Sequence, residues 1–216
     1  MTIRPDIAIV GAGPGGYVAA LRAAQLGAKV VLIEKDKVGG VCLNQGCIPT
    51  KTLLRTAEIF SLVREAAGYG VVVSGAKLDW TAAQKRKDAV VRRLTGGVRL
   101  LLDKAGVKLL LGTAHFISPS VLDVAGEDRV ERVEATDYVI ATGSRAAPAP
   151  IPGLDEPGVL TSDEALTLES LPEDLLVIGG GPIGVEFATL FSACGVRVTL
   201  VEVLSRLLPM QDADLG

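Results

Sequence analysis

One pattern of strand, glycine turn, helix and strand occurs twice in this chain, at an offset of 168 residues. In the first copy, Ile7-Ala8-Ile9-Val10 reads as a short buried strand and runs straight into Gly11-Ala12-Gly13-Pro14-Gly15-Gly16. A helix is expected from Tyr17 to Leu26, stopped by Gly27, and a second strand from Lys29 to Ile33 ends at Glu34. In the second copy, Leu175-Leu176-Val177-Ile178 precedes Gly179-Gly180-Gly181-Pro182-Ile183-Gly184. There a helix is expected from Val185 to Cys194, Gly195 stops it, and the strand from Arg197 to Val201 ends at Glu202. A chain built on two β-α-β units is committed to an α/β architecture with parallel strands. The 216 residues are 49% hydrophobic, which supplies a substantial core.

Each part of the unit has a physical task. The first glycine allows the tight turn, the second lets a pyrophosphate approach the backbone, and the third lets the helix pack close to the strand. The helix amides and dipole then face the phosphates, and the acid ending the second strand accepts from the adenosine ribose hydroxyls. One glycine turn between strand and helix is common. Two of them, each followed by an acid at the same spacing, specify dinucleotide binding.

Composition removes other classes of function. Lys+Arg 22 against Asp+Glu 25 leaves a net charge of −3, with no basic footprint for nucleic acid. Aromatics at 4% do not make a base-stacking platform. No apolar run reaches the ~18 residues that cross a bilayer. The opening Met1-Thr2-Ile3-Arg4-Pro5-Asp6 has no apolar stretch behind it, so no signal peptide is expected. Three cysteines make no disulfide framework, and a reducing, cytoplasmic location is expected.

Between the copies, Lys51 to about Ala67 reads as helix, and Asp79 is placed to cap a second helix through Lys104, interrupted near Gly96-Gly97. Val107 to Gly112, Val121 to Val124 and Val130 to Glu134 read as a small antiparallel set turning at Gly126-Glu127-Asp128. Asp137 to Ala141 reads as another buried strand, running into Thr142-Gly143-Ser144. The proline-rich stretch Ala146 to Pro157, with Pro148, Pro150, Pro152 and Pro157, is the candidate linker. Two domains follow, 1–150 and 151–216, the second holding the linker and the start of a second nucleotide unit.

Gly39-Gly40-Val41-Cys42-Leu43-Asn44-Gln45-Gly46-Cys47-Ile48-Pro49-Thr50-Lys51 follows the first copy directly. Five positions along a straight helix rise about 7.5 Å, more than the ~4.4–6.8 Å Cα separation of a disulfide. A bridge between Cys42 and Cys47 therefore needs a distorted turn, which Asn44 and Gly46 are suited to make. Pro49 suits the first turn of a helix, so Cys47 falls near a helix N-terminus, a position that favours thiolates. Two other readings stand beside this exchange-prone pair. The cysteines could be small core residues, or half of a zinc site. For zinc, C-x4-C lacks partners at ligand spacing: Cys194 aligns with Leu26 as a core position, and His115 reads as a strand or loop residue. No metal is expected.

These residues resemble the flavin-dependent pyridine nucleotide-disulfide oxidoreductases. The cysteine run with Leu43, Ile48 and Thr50 is most similar to the branch that oxidises dihydrolipoamide. Gly13 to Tyr17, Arg22 to Gly27 and Ala141-Thr142-Gly143-Ser144 carry the same likeness in the same order. The resemblance implies a Rossmann-like FAD-binding domain, a parallel sheet with helices plus a small antiparallel meander, followed by the start of a Rossmann-like NAD-binding domain. It implies that Gly11, Gly13, Pro14, Gly15 and Gly16 face the FAD pyrophosphate, with Glu34 and Lys35 at its adenosine ribose. Gly40, Val41, Cys42, Lys51, Gly112, Ala114, Thr142, Gly143 and Ser144 complete the FAD contacts, and Gly179, Gly181, Pro182, Ile183, Gly184 and Glu202 take NAD. Cys42 and Cys47 would form the redox disulfide, Cys47 beside the flavin in a charge-transfer pair and Cys42 meeting dihydrolipoamide. Lys51 would lie near flavin N5 and pair with Glu186. A carboxylate at Glu202 favours ribose hydroxyls over a 2′-phosphate, and so NAD over NADP.

The implied partners are dihydrolipoamide on a lipoyl domain, the core of a 2-oxo acid dehydrogenase complex, and a second copy in a homodimer; neither nucleic acid nor membrane is expected. Family members run to about twice this length, and their histidine-glutamate acid-base pair has no counterpart here, so the segment alone is expected to lack lipoamide turnover. Small departures from the family wording are Gln45 and Ala146. The alternatives are a mercuric- or glutathione-reductase-like enzyme, and a non-catalytic FAD-binding module.

Overall fold

The structure, a computed structural model, describes residues 2–147 and 149–216; Pro148 of the candidate linker lies outside the described residues. The strands are β1 (Thr2–Ile3), β2 (Ile7–Val10), β3 (Val30–Glu34), β4 (Lys108–Leu111), β5 (Thr113–Ser118), β6 (Val121–Ala125), β7 (Val130–Glu134), β8 (Asp137–Ile140), β9 (Asp174–Ile178) and β10 (Arg197–Val201). The helices are α1 (Pro14–Gln25), α2 (Gly40–Gln45), α3 (Cys47–Glu65), α4 (Trp80–Lys104), α5 (Ser162–Ala165) and α6 (Pro182–Ala193), with 3-10 turns at Ala66–Tyr69 and Ala213–Leu215. The chain forms an α/β fold of two compact units, each discontinuous in sequence. Met1–Cys47 groups with Val91–Asp155, and Ile48–Val90 with Glu156–Gly216. The expected boundary near Pro150 lies close to one of these breaks. The expectation of 1–150 as one domain differs from the observed grouping, because 48–90 packs with the later segment.

In the first unit a parallel sheet of order β4-β3-β2-β8 faces a second sheet of order β1-β7-β6-β5. Ala8, Val31, Ile33 and Leu110 from the parallel sheet form one buried core with Leu122, Val124, Val133 and Ala135 from the other. On the opposite side of β2 and β3, Ile9 and Leu32 are fully buried. Both faces of β3 are covered, which is why Val30 to Glu34 is a continuous run with no polar alternation.

In the second unit β9 and β10 pair in parallel, Asp174 opposite Arg197 through Ile178 opposite Val201. Phe187, Leu190 and Phe191 of α6 pack with Leu53 and Ala57 of α3, Trp80 and Ala83 of α4, Leu166 and Val196. Three side chains of α4 hold the 166–168 backbone in this unit: Trp80 Nε1 and Gln84 Nε2 donate to the Leu168 carbonyl, and the buried Lys87 Nζ to that of Leu166.

Several local expectations are corrected. The helices after the glycine turns begin at Pro14 and Pro182, three residues before Tyr17 and Val185, with Gly13 and Gly181 as N-caps. Proline fits the first helical position because its missing N–H has no acceptor there. The helix expected from Lys51 begins already at Cys47. Asp79 caps α4 as expected, its Oδ1 accepting from Ala82 N at 2.9 Å. The helix then runs unbroken through Gly96 and Gly97; Val98 and Leu102 are buried beyond them, and packing outweighs the ~1 kcal/mol per glycine.

The 107–112 strand joins the parallel sheet beside β3 rather than the antiparallel set. Its place in the meander goes to β5, which pairs antiparallel with β6. Asp137 to Ile140 is a sheet edge rather than a buried strand, with Ile140 69% exposed.

Candidate functional site

Two glycines of the first turn, Gly11 and Gly16, have no room for a side chain. Gly11 has φ +101, and a Cβ there would run into the carbonyl oxygen of Ala141, where β8 ends. A Cβ on Gly16 would run into the carbonyl oxygen of Gly11, so α1 lies directly on the turn. Ala141 N donates to Val10 O at 2.8 Å. Thr142, Gly143 and Ser144 therefore leave β8 beside the turn. Gly15 stands near the Ala141 methyl.

Glu34 closes the turn. It is 9% exposed; its Oε2 accepts from Ala12 N at 2.7 Å and its Oε1 from Asp36 N at 2.9 Å. Gly112 N donates to the Glu34 carbonyl at 2.8 Å, so the 111–113 crossing lies against the same residue. The side chain of Ala114 instead packs on the core between the sheets. Lys35 is exposed beside Glu34.

The cysteine segment is fastened to this turn. Gly39 N donates to Ala12 O at 2.8 Å. Gly39 and Gly40 have φ +99 and +56, and a Cβ on Gly40 would stand 2.7 Å from the Cα of Gly13. Gly40 starts α2, on which Val41 is exposed and Cys42 half-buried. Gly46 then breaks the helix at φ −140, ψ −112, and Cys47 opens α3. A Cβ on Gly46 would lie 3.0 Å from Val41 O and 3.3 Å from Cys42 Cα. The distorted turn between the cysteines is thus present, and glycine is what lets it close. Cys47 is exposed and Cys194 half-buried. Burial pushes the Cys194 thiol up to about 11, as suits a core position. His115 is exposed on β5.

In the second unit Lys51 Nζ and Glu186 Oε1 lie 2.6 Å apart, so the structure brings this expected pair together. The second glycine turn repeats the first. Gly179 has φ +107, and a Cβ on Gly184 would meet the Gly179 carbonyl oxygen. Glu202 Oε2 accepts from Gly180 N at 2.6 Å and Oε1 from Leu204 N at 2.9 Å. These two amides hold its carboxyl below the usual carboxylate range. Ile183 is 62% exposed on the first turn of α6.

Both turns fit a dinucleotide. Neither Gly13 nor Gly181 caps its helix with a side chain, and neither first turn carries an acid, an arrangement that suits a phosphate at the helix N-terminus. A Cβ on Gly181 would project into open space. A carboxylate has about four acceptor positions; each acid uses two of them on backbone amides.

Residues 5–216 match the family described as pyridine nucleotide-disulphide oxidoreductase. The chain belongs to that family. It is similar to the dihydrolipoyl dehydrogenase of Acholeplasma laidlawii, 46% identical over 97% of this chain and 63% of that protein. It is 43% identical to a dihydrolipoyl dehydrogenase of Bacillus subtilis over 100% of this chain and 48% of the relative. Among solved structures, the HOCl-induced flavoprotein disulfide reductase RclA of Escherichia coli, as its Cu(II) complex, superposes with a TM-score of 0.84 at 34% identity, over 98% of this chain and 45% of that one. The chain thus spans roughly half the length of most of these proteins. Dihydrolipoyl dehydrogenases and their family use FAD and NAD(H). No helix among the described residues is long and apolar enough to cross a membrane.

The site also contains contacts that sequence reading passed over: Ala12 and Gly180 as amide partners of the acids, the Ala141 carbonyl against Gly11, and Asn44 as more than a turn former. Only Asn44 carried a sequence signal, an amide side chain flanked by glycines on both sides of a short helix.

Proposed function

We propose that these residues carry the FAD-binding, dithiol-bearing part and the NAD-binding β-α-β unit of a dihydrolipoyl dehydrogenase. The observation that carries this reading is the fastening of the cysteine segment to the first glycine turn, Gly40 against Gly13 and Gly39 N–H on Ala12 O. A dithiol held on a nucleotide loop is placed for two-electron exchange with a bound nucleotide. The relatives at 43–46% identity carry the lipoamide name, whereas the RclA likeness is at 34%, which favours dihydrolipoamide over another disulfide substrate.

FAD, when bound, supplies a two-electron relay between thiols and nicotinamide. The chain's own groups do the rest. A thiolate of dihydrolipoamide attacks Cys42 sulfur in the Cys42–Cys47 disulfide, and Cys47 leaves as a thiolate at the start of α3. The second lipoamide thiol then displaces Cys42 as a thiol and closes the oxidised lipoamide ring. The exposure of Cys47 fits a group that a bound cofactor covers. Glu186 fixes the Lys51 ammonium, in this reading at the flavin. Gly11, Gly13 and Gly16 admit the FAD pyrophosphate, and Gly179, Gly181 and Gly184 that of NAD. Glu202, a carboxylate, repels a 2′-phosphate. The reading places the protein in the cytoplasm, as a homodimer serving a 2-oxo acid dehydrogenase complex through lipoyl domains.

The test is an absorbance spectrum of the protein with FAD, before and after dihydrolipoamide. A flavin band that gains a long-wavelength shoulder on two-electron reduction supports the reading. A protein that takes up FAD and stays fully oxidised with dihydrolipoamide overturns it.

A further inference from the structure

The Asn44 side chain reaches back from α2 across the turn that precedes it. Its Nδ2 donates to Val38 O at 3.1 Å and to Gly40 O at 2.9 Å. Those two carbonyls flank Gly39, and both glycines of the turn have positive φ. A turn with two consecutive left-handed residues is open to other conformations, because glycine loses the most freedom on folding. One amide bonding both carbonyls selects a single one. That conformation sets Gly40 against Gly13 at the start of α2, the helix that carries Cys42.

The second copy supplies an internal control. Beyond Glu202 the register slips by one residue, and Leu208, with φ +48, takes the place of Gly39: its N–H donates to Gly180 O at 2.8 Å as that of Gly39 donates to Ala12 O. The return of the chain to the glycine turn is therefore common to both copies. The position five residues on, where Asn44 stands in the first copy, is Ala213 at the start of a 3-10 turn, with no polar side chain to bond the turn. The amide lock accompanies the cysteines and not the nucleotide turn.

We propose that Asn44 is a positioning residue: it locks the Val38-Gly39-Gly40 turn so that Cys42 is held in register with Cys47 and with the first nucleotide loop. This deepens the reading above and rests on it for the flavin readout alone. The dithiol readout is independent of it. Oxidation by glutathione disulfide forms the Cys42–Cys47 bond, with the two thiols giving up two electrons and two protons and glutathione disulfide becoming two glutathione thiols.

The experiment measures that equilibrium in glutathione buffers for the whole protein and for Asn44→Asp, Asn44→Ala and Asn44→Ser, alongside the FAD dissociation constant and thermal midpoint of each. Asp is nearly isosteric but offers carbonyls no donor when ionised. Ser can back-bond the Gly40 carbonyl one helical turn earlier but does not reach Val38. The expected order of disulfide stability is Asn, then Ser, then Ala and Asp, with roughly a tenfold loss at the extremes, as two net hydrogen bonds would give. The long-wavelength shoulder on reduction falls in the same order. Equal constants for wild type and Asn44→Ala, or a Ser variant no better than Ala, would overturn the proposal. If Asn44→Asp does not fold, the Ser-to-Ala step decides. Wild-type protein that forms the disulfide normally and never gives the shoulder would sink the flavin reading and leave the Asn44 order to be judged on glutathione.

Discussion

The two glycine turns share their backbone but not their surroundings. Gly11 and Gly179 have φ +101 and +107, and Gly27 and Gly195 have +93 and +94. Gly13 and Gly181 cap their helices at φ −72 and −71. Gly11 N donates to Ile33 O and Gly179 N to Val201 O, at 2.7 and 2.8 Å. Around the first turn, β2 pairs with both β3 and β8, and the residues of one face are sealed under a second sheet. Around the second, the positions equivalent to Ala8, Val10 and Ile33 are Leu176, Ile178 and Val201, which are 58%, 52% and 50% exposed. The turn, its helix and its acid are thus specified locally, by glycine positions and one carboxylate. Neighbouring strands add stability and neighbours rather than shape.

That distinction breaks first at Gly11. An alanine there suffers both the positive φ and the collision with the Ala141 carbonyl, whereas Gly179→Ala meets only the φ, since nothing else lies within 4 Å. Strained φ costs about 1–3 kcal/mol, and backbone overlap adds to it at Gly11. Urea unfolding should show Gly11→Ala losing several kcal/mol and Gly179→Ala distinctly less. Equal losses would mean that β8 is not pressed against the first turn.

The next comparison is Gly40 with Leu208. Both have positive φ, but a Cβ on Gly40 would stand 2.7 Å from Gly13 Cα, whereas Leu208 meets its turn through its N–H, 2.8 Å from Gly180 O. Gly40→Ala should cost about 1–3 kcal/mol from the φ together with the overlap, and should weaken FAD binding as well. Leu208→Gly relieves a bulky residue's left-handed φ and adds unfolded-chain entropy of similar size, so its thermal midpoint should barely move. A large drop for Leu208→Gly would show that the leucine side chain, and not only its N–H on Gly180 O, holds that loop.

What was legible in the sequence follows the same division. The β-α-β units and the cysteine turn were readable because glycines, prolines and the closing acids act over a few residues. The start of α1 at Pro14 was masked by the glycines around it, which read as loop although proline after glycine is a helix start. Nonlocal choices were not readable. Lys108–Leu111 suits either sheet, and only the free edge of β3 decides for the parallel one. Ile140 is as apolar as Ile9, yet one lies at an edge and the other in the centre. The amide partners of Glu34 and Glu202 were illegible for another reason: backbone N–H groups carry no residue signature.

Those partners set the third comparison. Glu34→Gln replaces a buried acceptor for two amides with a group that accepts at one oxygen only, stranding a donor at a cost of about 1–3 kcal/mol. Glu202→Gln makes the same change where solvent reaches the side chain, and should cost less in urea unfolding while still reducing NAD affinity. If the two substitutions destabilise equally, burial of the acid is not what separates the copies.

The smallest effect is one of pH. The Glu202 carboxyl lies below its ordinary value because Leu204 N–H and Gly180 N–H donate to the ionised form. A group whose pKa is lower in the folded than in the unfolded chain binds fewer protons when folded, so its contribution is complete above the ordinary carboxylate pKa. It is lost as pH falls through the lowered one. The second turn should therefore loosen in acid below about pH 4, seen as faster amide exchange at Gly180 and Leu204. Glu202→Gln should abolish that pH dependence at these two amides and leave the first turn unchanged. Persistence of the acid-dependent exchange in Glu202→Gln would assign it to other carboxylates held low in the fold, Asp123 beside Arg132 or Asp174 beside Arg197. Of these, Asp174 stands on β9, the strand that feeds Gly179, and a matching Asp174→Asn variant separates the two causes.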